Sequence, residues 1–150
     1  MANPVCEVLL TQQPLAAPPH GDLVETGAIV DFWGIVRRME GLSAIAAIDY
    51  EAHGAMAEHQ MHALAVAAVE RFALSEVRIV HRVGVVAVGE ASLFVRVGSR
   101  HRAAALHACE WIIDELKKRV PVWKHPRFVP HVPGSEMVPL PAAEGEPAFA

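Results

Sequence analysis

The chain has 150 residues, a formal net charge of −4 and 53% hydrophobic residues, with a mean hydropathy of +0.27. That length fits a single domain with a proper core, and the acidic balance excludes a generic nucleic-acid binder, so any anion site must be local. No apolar run approaches the roughly 20 residues of a membrane span, and the surplus of apolar surface fits an obligate oligomer.

The first predicted element is a short strand over residues 5–10. A Pro-rich connection over 12–22 follows, holding Pro14, Pro18 and Pro19. Residues 24–36 are β-branched and aromatic, which predicts a long strand. A loop is expected over 38–43 and a strand over 44–51. Met56, Gln60, Met61, Leu64, Ala68 and Phe72 recur near helical spacing, so residues 54–72 predict a helix packed on a sheet. Strands are expected over 76–82 and 90–98, with a short strand or tight connection between Gly84 and Gly89. Ser99 is placed to cap a second helix over 100–119, which Pro121 ends. Six of the eleven prolines lie beyond Lys124. A single domain is therefore expected over 1–125, with an irregular Pro-rich tail over 126–150. The order is α+β, and strand pairs without crossover helices predict a mostly antiparallel sheet with two main helices.

Three lysines, Lys117, Lys118 and Lys124, lie within eight positions, and all other basic residues are arginine. Lysine can lose its proton and act as nucleophile or base, which arginine cannot. At ~100° per residue, Leu106, Cys109, Ile113, Leu116 and Val120 form one apolar stripe on the second helix. Lys117 and Arg102 fall on its side. Lys117 is therefore expected to be partly desolvated, on a face that lines an anion site. The alternative is that both side chains snorkel past the core edge to water.

Ser99-Arg-His-Arg102 opens that helix and gathers free N–H groups, two arginines and a histidine, a phosphate or carboxylate site. Arg37 follows the long strand just after Gly34. The nine histidines are scattered, and the closest pair, His59 and His62, has no cysteine or carboxylate cluster to complete a metal site. Cys109 reads as a buried small hydrophobe, and two cysteines make no disulfide framework, so a reducing cytoplasm is expected. The start lacks the pattern of a signal peptide.

Several segments together resemble the large, catalytic subunit of molybdopterin synthase. They are Gly27-Ala-Ile-Val-Asp-Phe-Trp-Gly-Ile-Val-Arg37, Ile48-Asp-Tyr-Glu-Ala-His with Met56-Ala-Glu58, and Val80-His-Arg-Val-Gly84 followed by Gly89-Glu90. Ser99-Arg-His-Arg102 and Leu116-Lys-Lys-Arg-Val-Pro-Val-Trp-Lys124 complete the set, in order, over roughly residues 24 to 125. The resemblance implies a hammerhead-type α/β fold and a homodimer at the centre of a heterotetramer. Each subunit would bind a small ubiquitin-like sulfur carrier whose Gly-Gly tail ends in a thiocarboxylate. The substrate would be cyclic pyranopterin monophosphate, with no cofactor, nucleic acid or membrane involved. Lys117 and Lys124 would be catalytic. Phe32, Arg37, His101, Arg102 and His125 would help both lysines bind substrate, His101 and Arg102 partly across the dimer. After Lys124 the chain departs from the family pattern, with His125-Pro-Arg-Phe-Val-Pro-His131 where a basic residue and a glutamate are common. Two other readings are a non-catalytic relative that docks a ubiquitin-like partner and an unrelated anion-binding enzyme.

Overall fold

Two sheets and two helices account for residues 3–130 and the backbone of 146–147, the residues described by a computed structural model. The elements run β1 (Val5–Thr11), β2 (Ala28–Ile35), β3 (Met39–Glu40), β4 (Ser43–Ala52) and α1 (Gly54–Phe72). They continue with β5 (Leu74–Arg82), β6 (Gly84–Ala87), β7 (Ala91–Ser99), α2 (Arg102–Arg119), β8 (Val122–Phe128) and β9 (Glu146–Pro147). The first sheet has the order β1-β5-β7-β2, and the second joins β3, β4, β8 and β9, with β6 also paired to β4. The α+β architecture matches the expectation, and most pairs are antiparallel. The exception is β1, which pairs with β5 in parallel. The chain between them contains α1 as well as three strands, so it supplies the long crossover that a parallel pair requires.

Both helices lie on one face of the first sheet, α1 against β1 and β5 and α2 against β7 and β2. Val77, Ile79, Val95 and Val97 are fully buried there with Ala57, Met61, Leu64, Ala105 and Ile112. Helix α1 has the predicted bounds. It ends at Ala73 in a left-handed conformation whose N–H bonds the Val69 carbonyl.

Other boundaries differ from expectation. The segment 38–43 is a hairpin, because β3 pairs Met39 with Ala44 and Glu40 with Ser43. Strand β8 runs through Phe128, so residues 126–128, expected in the tail, are paired with β4. Pro126 is tolerated in this strand although it has no N–H to donate. Strand β9 pairs with β8. The Val129 N–H still bonds the Ala44 carbonyl at 3.1 Å, while residues 131–145 and 148–150 of the expected tail lie outside the described residues. Helix α2 starts at Arg102, and its N-cap His101 makes no side-chain capping bond. Ser99, expected as the cap, instead accepts a long 3.5 Å bond from the His101 N–H. No described helix is long and apolar enough to cross a membrane.

The opposite face of the first sheet carries a row of charge. Glu7, Arg78, Arg96 and Asp31 are register neighbours across β1, β5, β7 and β2. Arg96 is 1% exposed. Its Nε and Nη2 donate to the two carboxylate oxygens of Asp31 at 2.7 and 2.9 Å, and its Nη1 donates to the Pro18 carbonyl at 2.7 Å. The guanidinium thus pins the Pro-rich connection onto the sheet while resting over Phe94, 5.5 Å from the ring centre. The Arg96 hydrogen bonds hold the Asp31 carboxyl below its ordinary value of 3.8. A carboxyl with a lowered folded pKa stabilises the fold above its unfolded pKa, and loses that contribution as pH falls through the folded one. Asp31→Asn should cost roughly 2–3 kcal/mol near neutral pH, the low end for a broken buried pair because Asp31 is partly exposed. Denaturant melts of the two proteins should converge as the pH is taken below 3.8. A gap that stays constant with pH would show that the pair is not the source.

Candidate functional site

Strand β2 ends at Ile35 and the chain turns through Arg37 into the β3–β4 hairpin. Helix α2 ends at Arg119, Pro121 blocks its continuation, and β8 returns along β4. Between these elements lies a cleft of about 210 Å³ whose walls include Phe32, Arg37, Glu40, Tyr50, Lys117 and Lys124. Four residues expected from the sequence, Phe32, Arg37, Lys117 and Lys124, are therefore brought together.

Lys117 does not sit where the helical stripe placed it. The buried side of α2 is Ala105, Ala108, Cys109, Ile112 and Leu116, while Leu106 is 56% exposed. At ~100° per residue the true buried arc is centred about 65° from the expected one. Leu106 is large and apolar and so drew the stripe to its side, whereas the small residues Ala105, Ala108 and Cys109 form much of the actual contact. Lys117 is consequently exposed at the cleft rim, and Arg102 is exposed as well. Neither is desolvated in the single chain. Cys109 is 6% exposed, and burial pushes its thiol up to about 11, as fits a small hydrophobe.

Lys124 is the buried lysine, 8% exposed. It lies opposite Tyr50 in the β4–β8 register, and its Nζ is 2.6 Å from Glu40 Oε1. Tyr50 is 7% exposed. Burial raises its phenol above the ordinary 10.0, a hydrogen bond with Ser92 opposes the rise and the Glu40 charge adds to it, so the hydroxyl stays protonated at neutral pH. His81 packs edge-on against Tyr50 with ring centres 5.1 Å apart. Its Nδ1 donates to the Arg82 carbonyl at 2.7 Å. Burial lowers His81 to about 4, so it is a neutral wall behind the cleft. Sequence reasoning did not single out Glu40, Tyr50 or Ser92. Tyr50 was open to detection, since Ile48 and Tyr50 share one face of β4 at the strand period of two. Glu40 carried no such signal, because a two-residue strand shows no periodicity.

The other expected residues lie elsewhere. His125 alternates away from Lys124 along β8 and bonds Glu51 at 2.9 Å. His101 and Arg102 open α2, and the 15 residues from Arg102 to Lys117 span about 22 Å at 1.5 Å per residue. They remain exposed, at the far end of the helix from the cleft. No group of three His, Cys, Asp or Glu side chains that could hold a metal occurs among the described residues.

Comparison with known proteins matches this architecture. The family model described as MoaE protein covers residues 10–119. The molybdopterin synthase catalytic subunit of Caulobacter vibrioides is 45% identical over 122 residues, 78% of this chain and 80% of that protein. The subunit of the same name from Pyrococcus abyssi is 43% identical over 99 residues, 66% of this chain and 67% of that one. Among solved structures, molybdopterin synthase from Staphylococcus aureus superposes with a TM-score of 0.72 at 25% identity, covering 81% of this chain and 96% of that chain.

Gly27 ties the β2 strand to the start of α2. Its N–H donates to the Ser99 carbonyl at 3.0 Å, and a Cβ at this position would collide with the Arg100 carbonyl oxygen. Backbone cannot yield as a side-chain tip can, so Gly27→Ala should lower stability by roughly 1–3 kcal/mol and displace the turn that carries His101. Thermal melts and the His101 ring resonances check this. An unshifted His101 signal in a protein of full stability would disprove the contact.

Proposed function

The chain belongs to the MoaE protein family, and on that premise we propose that it is the catalytic subunit of a molybdopterin synthase. In this reading it transfers sulfur from the C-terminal thiocarboxylate of a small ubiquitin-like carrier to cyclic pyranopterin monophosphate. The observation that carries the reading is the meeting of Lys117 and Lys124 in one cleft with Arg37 and Phe32. Exposed Lys117 at the rim would meet the incoming carrier tail. Lys124, buried and held by Glu40, would hold or protonate the pterin intermediate. A compact ammonium suits both tasks, because it can approach a reacting oxygen or sulfur within a narrow channel. A reducing cytoplasm would suit the free Cys6 and Cys109.

His101 and Arg102 are too far along α2 to serve the cleft of their own chain. We propose that they serve the cleft of a second copy, in a homodimer that forms the core of a heterotetramer with two carriers. The outer face of the first sheet supports the dimer. Leu9, Trp33 and Ile35 lie on it and stay exposed at 50%, 37% and 49%, an apolar patch suited to a partner. Light scattering should give about twice the 16.2 kDa chain mass. A monomer would remove His101 and Arg102 from the site.

The function is tested by mixing the protein with a thiocarboxylated carrier and cyclic pyranopterin monophosphate and measuring molybdopterin. Lys117→Ala should abolish turnover with little change in stability, because the side chain is exposed and makes no ion pair with a described residue. Lys117→Arg should also fail, since a planar guanidinium cannot replace the amine. Lys118 points away, paired with Glu115 at 3.6 Å, so Lys118→Ala should be nearly silent. Full turnover by Lys117→Ala, or an equal loss in Lys118→Ala, would overturn the assignment.

A further inference from the structure

Among the charged residues of the cleft, Glu40 is the carboxylate and Arg37, Lys117 and Lys124 are the cations. These cations are not equivalent. Lys124 is paired with Glu40 at 2.6 Å, and the two side chains are only 10% and 20% exposed. Water screens such a pair weakly, and a charge-assisted bond of this length is among the stronger ones. Arg37 and Lys117 have no ion pair or side-chain hydrogen bond with any described residue. The last turn of α2 sharpens the contrast, since Glu115 takes both Lys118 and Arg119, the latter at 2.7 Å, and leaves Lys117 open. An anion entering beside Lys124 would meet the Glu40 carboxylate, whereas one entering beside Arg37 or Lys117 would meet uncompensated charge.

We propose that Glu40 is a specificity-determining residue of this cleft: by occupying Lys124 it screens that lysine from anions and assigns the ligand's anionic group to the Arg37 and Lys117 side. This inference rests on the reading of the cleft as the sulfur-transfer site. It adds a division of labour within it. Lys124 keeps two of its three N–H donors for the reacting atoms, and the binding of phosphate or carboxylate falls to the other two cations. The β3–β4 hairpin positions Glu40 for this role. Gly41 turns the chain at φ +61°, and pairing of Glu40 with Ser43 fixes its backbone.

Three lysines in the chain allow a direct test that needs no turnover. The full-length protein is treated with limiting acetic anhydride, and each lysine's modification is followed by mass spectrometry. Inorganic phosphate is added in one arm and the dipeptide Gly-Gly in another, to separate a phosphate source from a carboxylate source. In the wild type, Lys124 should react about tenfold more slowly than Lys118, the scale of one charge-assisted hydrogen bond. At least one anion should slow Lys117 and leave Lys124 unchanged. In Glu40→Gln, Lys124 should react about tenfold faster, and the same anion should now slow it. Glu40→Asp keeps the charge and should retain the wild-type pattern of protection, which a merely structural role for position 40 would not predict. Equal protection of Lys124 and Lys117 in the wild type would overturn the proposal. So would no protection of Lys117 by either anion, or a Glu40→Gln pattern like that of the wild type. A thermal melt confirms that each variant is folded, and should Glu40→Gln unfold, the wild-type and Glu40→Asp patterns decide alone. Sulfur transfer is not measured in these arms, so failure of this inference is separable from failure of the proposed reaction.

Discussion

The pairing of β8 with β4 is the constraint on which the cleft depends. Lys117 and Lys124 are seven residues apart, and along one continuous helix they would be neighbours two turns apart on one face. Pro121 prevents that. The chain leaves α2 and enters β8, where the register with β4 sets Lys124 opposite Tyr50. One lysine thus projects from a helix end and the other from a strand, with the cleft between them. A register slip of one residue would turn Lys124 to the opposite face and bring Trp123 or His125 in its place. Pairing along the whole of β8, from Val122 to Phe128, guards against such a slip.

Much of the fold was legible because most of its elements are long and carry period. Helix α1 could be bounded from its apolar repeat, and β5 and β7 from their runs of Val, Ile and Phe. What escaped was set by partners distant in sequence. The end of strand β8 looked like the start of a tail because proline has low strand propensity, yet β4 supplies a template that outweighs it. The parallel pairing of β1 was hidden for the same reason, since nothing local in residues 5–11 states which strand lies beside them.

The site was legible in its residue types and less so in its geometry. Lys117, Lys124, Arg37 and Phe32 were named and converge. His125 was named among the residues the resemblance implies, but on β8 it neighbours Lys124, and neighbours on a strand point to opposite faces. For Lys117 the error lay in which arc of the helix is buried. Alanines 105 and 108 form that arc because helix α1 presents Ala57, Ala65 and Ala68 to the same core, and small residues let the packed elements approach closely. A stripe drawn through the largest apolar side chains therefore missed the interface and made a rim residue look like a core one.

The partition of basic residues between the two sides of the molecule follows from geometry. On the sheet face, Arg96 must satisfy two Asp31 oxygens and the Pro18 carbonyl while almost fully buried. A planar fork with five donors can meet all three at once and keep its charge, and an ammonium could not hold the two parallel bonds to Asp31. In the cleft the requirement is reversed. Lys124 sits behind Glu40 in a small space, and its compact head can give one donor to that carboxylate and still present others to a ligand. The concentration of lysine at 117–124 is therefore informative as composition, but residue type alone does not assign a role. Lys118, of the same type and one position along, turns to Glu115 and leaves the cleft to its neighbours.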